Sequence, residues 1–300
     1  MANRNRTIRM FGIKIEGDNP PSYYLDVIET AAEKAIAEPV KLRSDYTIVI
    51  ASEGFQINRA SKNIFLQILG GDPNDAALVY DQKEKETEEI DFGDGKWPVT
   101  EARCSFSIIG NNRIIALENR VGGITGTMLQ EFLRIGLPET DRSKALTVFP
   151  ISSPSFEKSV KQYTRIREFS ITLSSSNPGF DDMDHQLANA GLDMNAERLT
   201  LTANASQGES LDVNGPFIDG AIELSKDPTA PVENLRVVGK KRGERVERAE
   251  SLKLHQERIT VRDGTTDGRD VRKDNFLEAV LPFVRSMVIS RRKYGDNDLS

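Results

Sequence analysis

The stretch Arg103 to Leu117, RCSFSIIGNNRIIAL, decides how the chain is read. Arg103–Ile109 and Arg113–Leu117 are rich in β-branched and aromatic residues. Gly110-Asn111-Asn112 between them tolerates positive φ, so the stretch reads as two short strands closed by a tight turn. Cys104, Phe106 and Ile108 then share one face of the hairpin. That makes Cys104 a core thiol rather than a nucleophile, because no histidine stands near it in the sequence to activate it. Past the hairpin, Thr125 can cap a helix in which Leu129, Phe132 and Leu133 are spaced for burial, and Gly136 with Pro138 stops it.

Working outward, Arg6–Glu16 alternates as a strand, and Pro20-Pro21 introduces a helix over Ser22–Ala37 with Leu25, Ile28, Ala32, Ala35 and Ile36 on one face. Strands are expected at Tyr46–Ala51 and Asn63–Leu69, and the acidic stretch Gln82–Asp91 reads as a surface loop. Downstream, strands are expected at Leu146–Ile151, Arg165–Leu173, Arg198–Thr202, Asn234–Val238 and Ser251–Val261. A short helix is expected around Asp182–Ala190, and a helix or turn at Phe217–Leu224. Phe276, Leu277, Val280, Leu281, Val284 and Val288 give a long C-terminal helix, with a kink expected at Pro282. The class is α+β: mixed or antiparallel sheets with flanking helices, no regular βαβ alternation and no internal repeat.

A chain of 300 residues has room for two domains of about 150 residues each. Ser152-Ser153-Pro154-Ser155 is the expected hinge, and Ser174–Gly179 is a second break. Residues 1–151 with 270–300 are therefore expected to form one globular α+β domain, and 152–269 a second, mobile one.

With 38% hydrophobic and 29% charged residues, the composition is globular rather than disordered or membrane-like. One cysteine excludes an internal disulfide framework, and two histidines are too few for the usual Cys/His zinc site. No secretory segment is visible at Met1–Met10. The most apolar run, Phe276–Ile289, is broken by Glu278, Pro282 and Arg285, far short of the roughly 20 apolar residues that span a bilayer. A cytoplasmic protein is expected.

The net charge of −6 hides alternating blocks. Residues 72–101 carry 3 basic and 10 acidic side chains, and 177–233 carry 2 and 11, whereas 102–176 carry 10 and 6, and 234–300 carry 16 and 11. Segregation of this kind can give an acidic chain one electropositive face, and local potential is what attracts an anionic partner.

Several short patterns resolve into ordinary folding chemistry. Gly122-Gly123-Ile124-Thr125-Gly126-Thr127 sits where a helix N-terminus could hold a phosphate, but it fits no nucleotide fingerprint and lacks the Walker lysine, so it reads as a turn and cap. Asp263–Asp274 has the length of a calcium loop, yet Thr265 and Asp274 replace expected ligands, and it reads as a turn. Asp181, Asp182, Asp184 and His185 could hold a divalent cation, but acidic residues in a first helical turn are what the macrodipole favours. His255 lies in an alternating polar strand with no fixed carboxylate or nucleophile beside it in the sequence. No paired general acid and base stands out, and no cofactor is expected.

The informative surface feature is Lys240-Lys241-Arg242-Gly243-Glu244-Arg245-Val246-Glu247-Arg248, flanked by Arg236, Lys253, Arg258 and Arg262. Between Arg236 and Arg262 there are 9 basic and 4 acidic residues. Around Gly239–Gly243 the chain reads as a loop tip, from which Lys and Arg can reach phosphates without reading bases. Arg236, Lys240, Lys241, Arg242, Arg245, Arg248, Arg258 and Arg262 are therefore the expected DNA contacts. Arg4, Arg6 and Arg9 near the N-terminus, and Arg291-Arg292-Lys293 near the C-terminus, are further candidates.

Arg113-Ile-Ile-Ala-Leu-Glu-Asn-Arg120, then Gly122-Gly123-Ile-Thr125 and Met128-Leu129-Gln-Glu-Phe132-Leu133, resemble the central segment of RexA-like phage-exclusion proteins of temperate phages. So do Leu146-Thr-Val-Phe-Pro150, Arg165-Ile-Arg-Glu-Phe-Ser-Ile-Thr-Leu173 and a final amphipathic helix ending in basic residues. The resemblance covers residues 100–175 and 270–294. It implies a two-domain α+β homodimer that grips double-stranded DNA without strong sequence preference. It also implies a small membrane-protein effector, and phage exclusion by abortive infection without catalysis. The acidic stretch 177–233 departs from that pattern, so the DNA surface would come from 236–262. The rival expectation is a metal-dependent nuclease using Asp181, Asp182 and Asp184, and a third is a protein-interaction module with no nucleic-acid role.

Overall fold

The structure, a computed structural model, describes residues 3–43, 45–75, 77–81, 86–90, 96–110, 112–152, 154–174, 198–226, 232–244, 246–262 and 269–292. Along the chain the first half runs β1 (Asn3–Ile15), α1 (Pro21–Ala37), β2 (Val40–Arg43), β3 (Tyr46–Asn58), β4 (Asn63–Gly71), β5 (Ala77–Asp81), β6 (Glu86–Ile90), β7 (Thr100–Ile109), β8 (Asn112–Glu118) and α2 (Gly126–Arg134). The second half runs β9 (Leu146–Pro150), α3 (Pro154–Lys161), β10 (Tyr163–Ser174), β11 (Arg198–Asn204), α4 (Pro216–Lys226), β12 (Val232–Lys241), β13 (Arg248–Ser251), β14 (Glu257–Arg262) and α5 (Arg269–Arg292). The class is α+β. An 8-stranded sheet has the order β14-β1-β8-β7-β4-β3-β2 with β9 also on β1, a 4-stranded sheet has the order β11-β10-β12-β13, and β5 pairs with β6.

The β7–β8 hairpin forms as its sequence dictates. Phe106 faces Ile115, Cys104 faces Leu117, and Gly110 takes a φ of 60° at the turn, a conformation glycine adopts without steric cost. β1 and β8 are apolar at both parities, so the large sheet is covered on both sides. On one face Phe11, Ile13, Cys104, Phe106 and Leu117 pack with Leu25 and Ile28 of α1 and Leu129 and Phe132 of α2. On the other, Ile8, Met10, Ile114 and Ala116 meet Phe276, Val280 and Val284 of α5. The Thr125 hydroxyl caps α2 by accepting from the Met128 amide at 3.3 Å, which is the plain turn-and-cap reading of that glycine-rich segment. Gly136 is required where α2 ends against α1, because a Cβ there would collide with the Val27 carbonyl.

Cys104 is buried among these side chains, and burial pushes its thiol up to about 12. The thiolate is thus scarce at any ordinary pH. Ellman's reagent is expected to leave the native protein unlabelled at pH 8 and to titrate one thiol once the chain is unfolded in guanidinium. Fast labelling of the native protein would contradict the packing described.

The smaller sheet buries one face. Phe169, Leu235 and Val237 pack under Phe156 and Val160 of α3 and Ile218 and Ile222 of α4. Its place in the chain is set by β1. β14 pairs with Asn3–Ile8 of that strand, and β9 pairs with Phe11–Ile15, so the chain leaves the large sheet and returns to it at the same notch beside Arg9 and Met10. The four-stranded sheet is an insertion between two strands that share one neighbour.

Three local expectations change. Part of the stretch read as an acidic loop is strand β6, whose partner is the apolar Ala77–Asp81. The strand expected over Ser251–Val261 is interrupted by a 3-10 turn at Leu252–Leu254, where the chain passes from one sheet to the other. At the Ser152–Ser155 joint, α3 already begins at Pro154, since a proline suits a first helical turn. The expected helix at Asp182–Ala190 and, past Ser174 at the end of β10, the rest of the break at Ser174–Gly179 lie outside the described residues. So does most of the calcium-length turn. α5 runs on through Pro282. Among the described residues no helix is long and apolar enough to cross a membrane.

Candidate nucleic-acid interface

The basic surface is built by the pairing of β10 with β12. Leu235 and Val237 point into the core, so alternation puts Arg236, Val238 and Lys240 on the outer face. The register sets Arg236 against Ser170, Val238 against Glu168, Gly239 against Ile166 and Lys240 against Arg165, with bulges on either side of Arg165 and Ile166. Gly239 is needed at this crossing because a Cβ would collide with the Arg165 carbonyl.

Lys240 and Arg165 therefore stand directly opposite each other on one face. Two cations so placed repel, and a fold gains nothing from the arrangement. Neither makes a side-chain ion pair or hydrogen bond among the described residues. The same holds for Arg242, which is exposed in the following turn; its amide donates to the Gln162 carbonyl at 3.2 Å, and Gly243 turns the chain with a φ of 82°. Three cationic side chains thus gather at one end of the small sheet with no counter-charge among the described residues.

Their neighbours are paired. Arg236 is bound to Glu168. Arg167 Nε lies 3.4 Å from Glu247 Oε2, and Arg248 Nε lies 3.2 Å from Glu244 Oε2. Lys253 is bound to Glu233, which also takes Arg198 at 2.7 Å. In the Arg167–Glu247 and Arg248–Glu244 pairs the guanidinium is more than half exposed, and pairs open to solvent in this way contribute little to stability, whereas Glu233 is buried.

Lys241 differs from its neighbours. Its ammonium is bound to Glu250, lies 2.6 Å from Ser159 Oγ and sits 5.3 Å from the centre of the Tyr163 ring. Burial, with Glu250 and Glu244 nearby, pushes the Tyr163 hydroxyl upward. Lys241 is therefore turned toward α3. Arg258 is exposed on β14, where it faces Thr7, and Arg262 pairs with Asn3, both in the large sheet. Arg245 lies outside the described residues. Of the expected contacts, the fold gathers Arg236, Lys240, Arg242 and Arg248, and it adds Arg165 and Arg167. Of the N-terminal candidates, Arg6 is bound to Glu118 at 3.3 Å. The side chains of Arg4, Arg291, Arg292 and Lys293 are not among those described.

One cluster was invisible in the sequence. His255 Nε2 lies 2.6 Å from Ser155 Oγ and 3.5 Å from Glu257 Oε1, and Ser155 Oγ donates to Glu257. His255 therefore does have a hydroxyl and a carboxylate beside it, contrary to the reading from sequence. The arrangement is nonetheless not that of an activated serine. The single hydroxyl proton goes to the carboxylate, so Nε2 must donate to Oγ rather than accept from it. The carboxylate also stands at Nε2, where a triad would place it at the other ring nitrogen. Ser155 lies in the first turn of α3 and Glu257 begins β14, so the cluster ties together the two crossings between the sheets. Asp181, Asp182, Asp184 and His185 lie outside the described residues, and among those described no group of three or more His, Cys, Asp or Glu could hold a metal ion.

No curated protein matches the chain. The match to a family model ends before β12, so it takes in Arg165 and Arg167 but not Lys240 or Arg242. Since that model covers residues 4–228, well over half of the sequence, the chain belongs to the family described as a domain of unknown function (DUF4747).

Proposed function

We propose that this protein is a sequence-nonspecific, double-stranded DNA-binding protein of phage-exclusion type, acting without catalysis in the cytoplasm as a homodimer. The observation that carries the reading is the opposed pair Arg165 and Lys240, joined by Arg242, at the bulged end of β10 and β12 with no counter-charge among the described residues. A phosphate backbone supplies the missing charge, and releasing its counterions supplies the free energy.

Duplex is favoured over single strand by the rest of the outer face. It presents Thr172, Asn234, Thr200 and Thr202, hydroxyls and an amide suited to phosphate oxygens. Among its described residues it offers no aromatic ring on which an unpaired base could stack. The homodimer, the phage-exclusion role and a small membrane-protein effector rest on the resemblance in residues 100–175 and 270–294.

The reading is tested by fluorescence anisotropy with two duplexes of unrelated sequence and a single strand, with and without magnesium. Equal binding of both duplexes, weaker binding of the single strand and intact DNA are expected. Magnesium-dependent cleavage would favour a nuclease instead, and indifference to all three would leave a protein-interaction module.

A further inference from the structure

On the reading just given, the ion pairs around the basic end acquire a role. Among the described residues, only Arg165, Lys240 and Arg242 present cations there without an ion pair. Arg167 and Arg248, whose side chains are 58% and 66% exposed, each have a carboxylate at the guanidinium Nε, from Glu247 and Glu244 respectively. Both carboxylates come from the segment joining β12 and β13, within a few residues of Arg242.

We infer that Glu244 and Glu247 are built-in phosphate substitutes: they occupy the guanidinium positions of Arg248 and Arg167 that a DNA backbone would take, and so hold this surface in a weak-binding state. The chemistry of the exchange is symmetric. A carboxylate and a phosphate both offer oxygens to the same N–H donors. The carboxylates already present are tethered, so a phosphate must displace them and gains only the difference. Exposed pairs of this strength are also cheap to break. The surface therefore has two tiers, three cations that engage DNA outright and two that engage it only when their glutamates give way.

The test is a salt series with a labelled duplex, comparing wild type with Glu244→Gln/Glu247→Gln. Each additional phosphate contact steepens the log–log salt dependence by about 0.9, so freeing two guanidiniums should steepen it by roughly 1.8 and tighten binding about tenfold at low salt. A control, Glu209→Gln, removes a charge from an exposed carboxylate for which no ion pair is seen, and should leave the slope unchanged. Adding Arg167→Ala to Glu247→Gln should abolish the gain, while Arg167→Ala alone should change wild-type affinity little. If wild type binds and the double variant gains no slope, or gains no more than Glu209→Gln gives, the substitute role is overturned while the DNA-binding reading stands. If no protein binds duplex even at low salt, both fall together.

Discussion

Glu118→Ala is expected to lower stability by about 3 kcal/mol, the lower end of the roughly 3–5 kcal/mol seen when one partner of a buried ion pair is removed. Glu118 closes β8 with its side chain 1% exposed. Its carboxylate takes Arg6 at 3.3 Å, Arg120 at 3.0 Å and the backbone amide of Arg103 at 3.3 Å. Removing it strands cationic groups inside a sheet covered on both faces, and water cannot replace the lost charge. Arg120, 29% exposed, can swing partly into solvent, which keeps the loss near the lower bound. At roughly 2–4 °C per kcal/mol for a chain of this size, the thermal midpoint should fall by about 10 °C. Glu139→Ala, at a carboxylate 86% exposed and paired with Arg142, should shift it by little. Equal shifts for both variants would contradict the placement of Glu118.

Arg165→Glu/Lys240→Glu/Arg242→Glu is expected to weaken duplex binding by on the order of a hundredfold or more at low salt, and to remove most of its salt dependence, since three contacts at about 0.9 each are lost and the new charges repel the backbone. The loss should be the same for unrelated sequences, because none of these residues is assigned to a base edge. Lys241→Glu makes the informative comparison. Lys241 is held by Glu250 and Ser159, so its reversal should disturb the local fold and lower the midpoint without selectively flattening the salt slope. If reversing Lys241 alone abolished binding while the triple variant bound normally, the assignment would have to move to the α3 side of the sheet.

The fold was legible wherever local chemistry and burial agreed. The hairpin at Arg103–Leu117, the Thr125 cap, the helix at Ser22–Ala37 and the strand at Arg198–Thr202 all form where alternation, helical spacing and turn residues place them. What stayed hidden depends on partners remote in sequence. The interruption at Leu252–Leu254 exists because Ser251 and Glu257 belong to different sheets, which no local pattern records. Lys240 and Arg242 stood out within a run of basic residues. Arg165 did not, although the Arg165-Ile-Arg167 alternation marks both arginines as facing away from the core; only the register of β10 on β12 places them beside that run. The same run misleads at Lys241, where one step along the strand exchanges the outer face for α3. The Ser155, His255 and Glu257 cluster is hidden for the same reason, its serine lying 100 residues from its histidine.

The central claim is that the bulged end of β10 and β12 neutralises DNA phosphates, and the salt slope of wild-type binding to a duplex of arbitrary sequence tests it most directly. Three free cations predict a log–log slope of about −2.7 per engaged protomer, and about twice that if two protomers grip one duplex. A slope near zero, or no binding at low salt, would contradict the account.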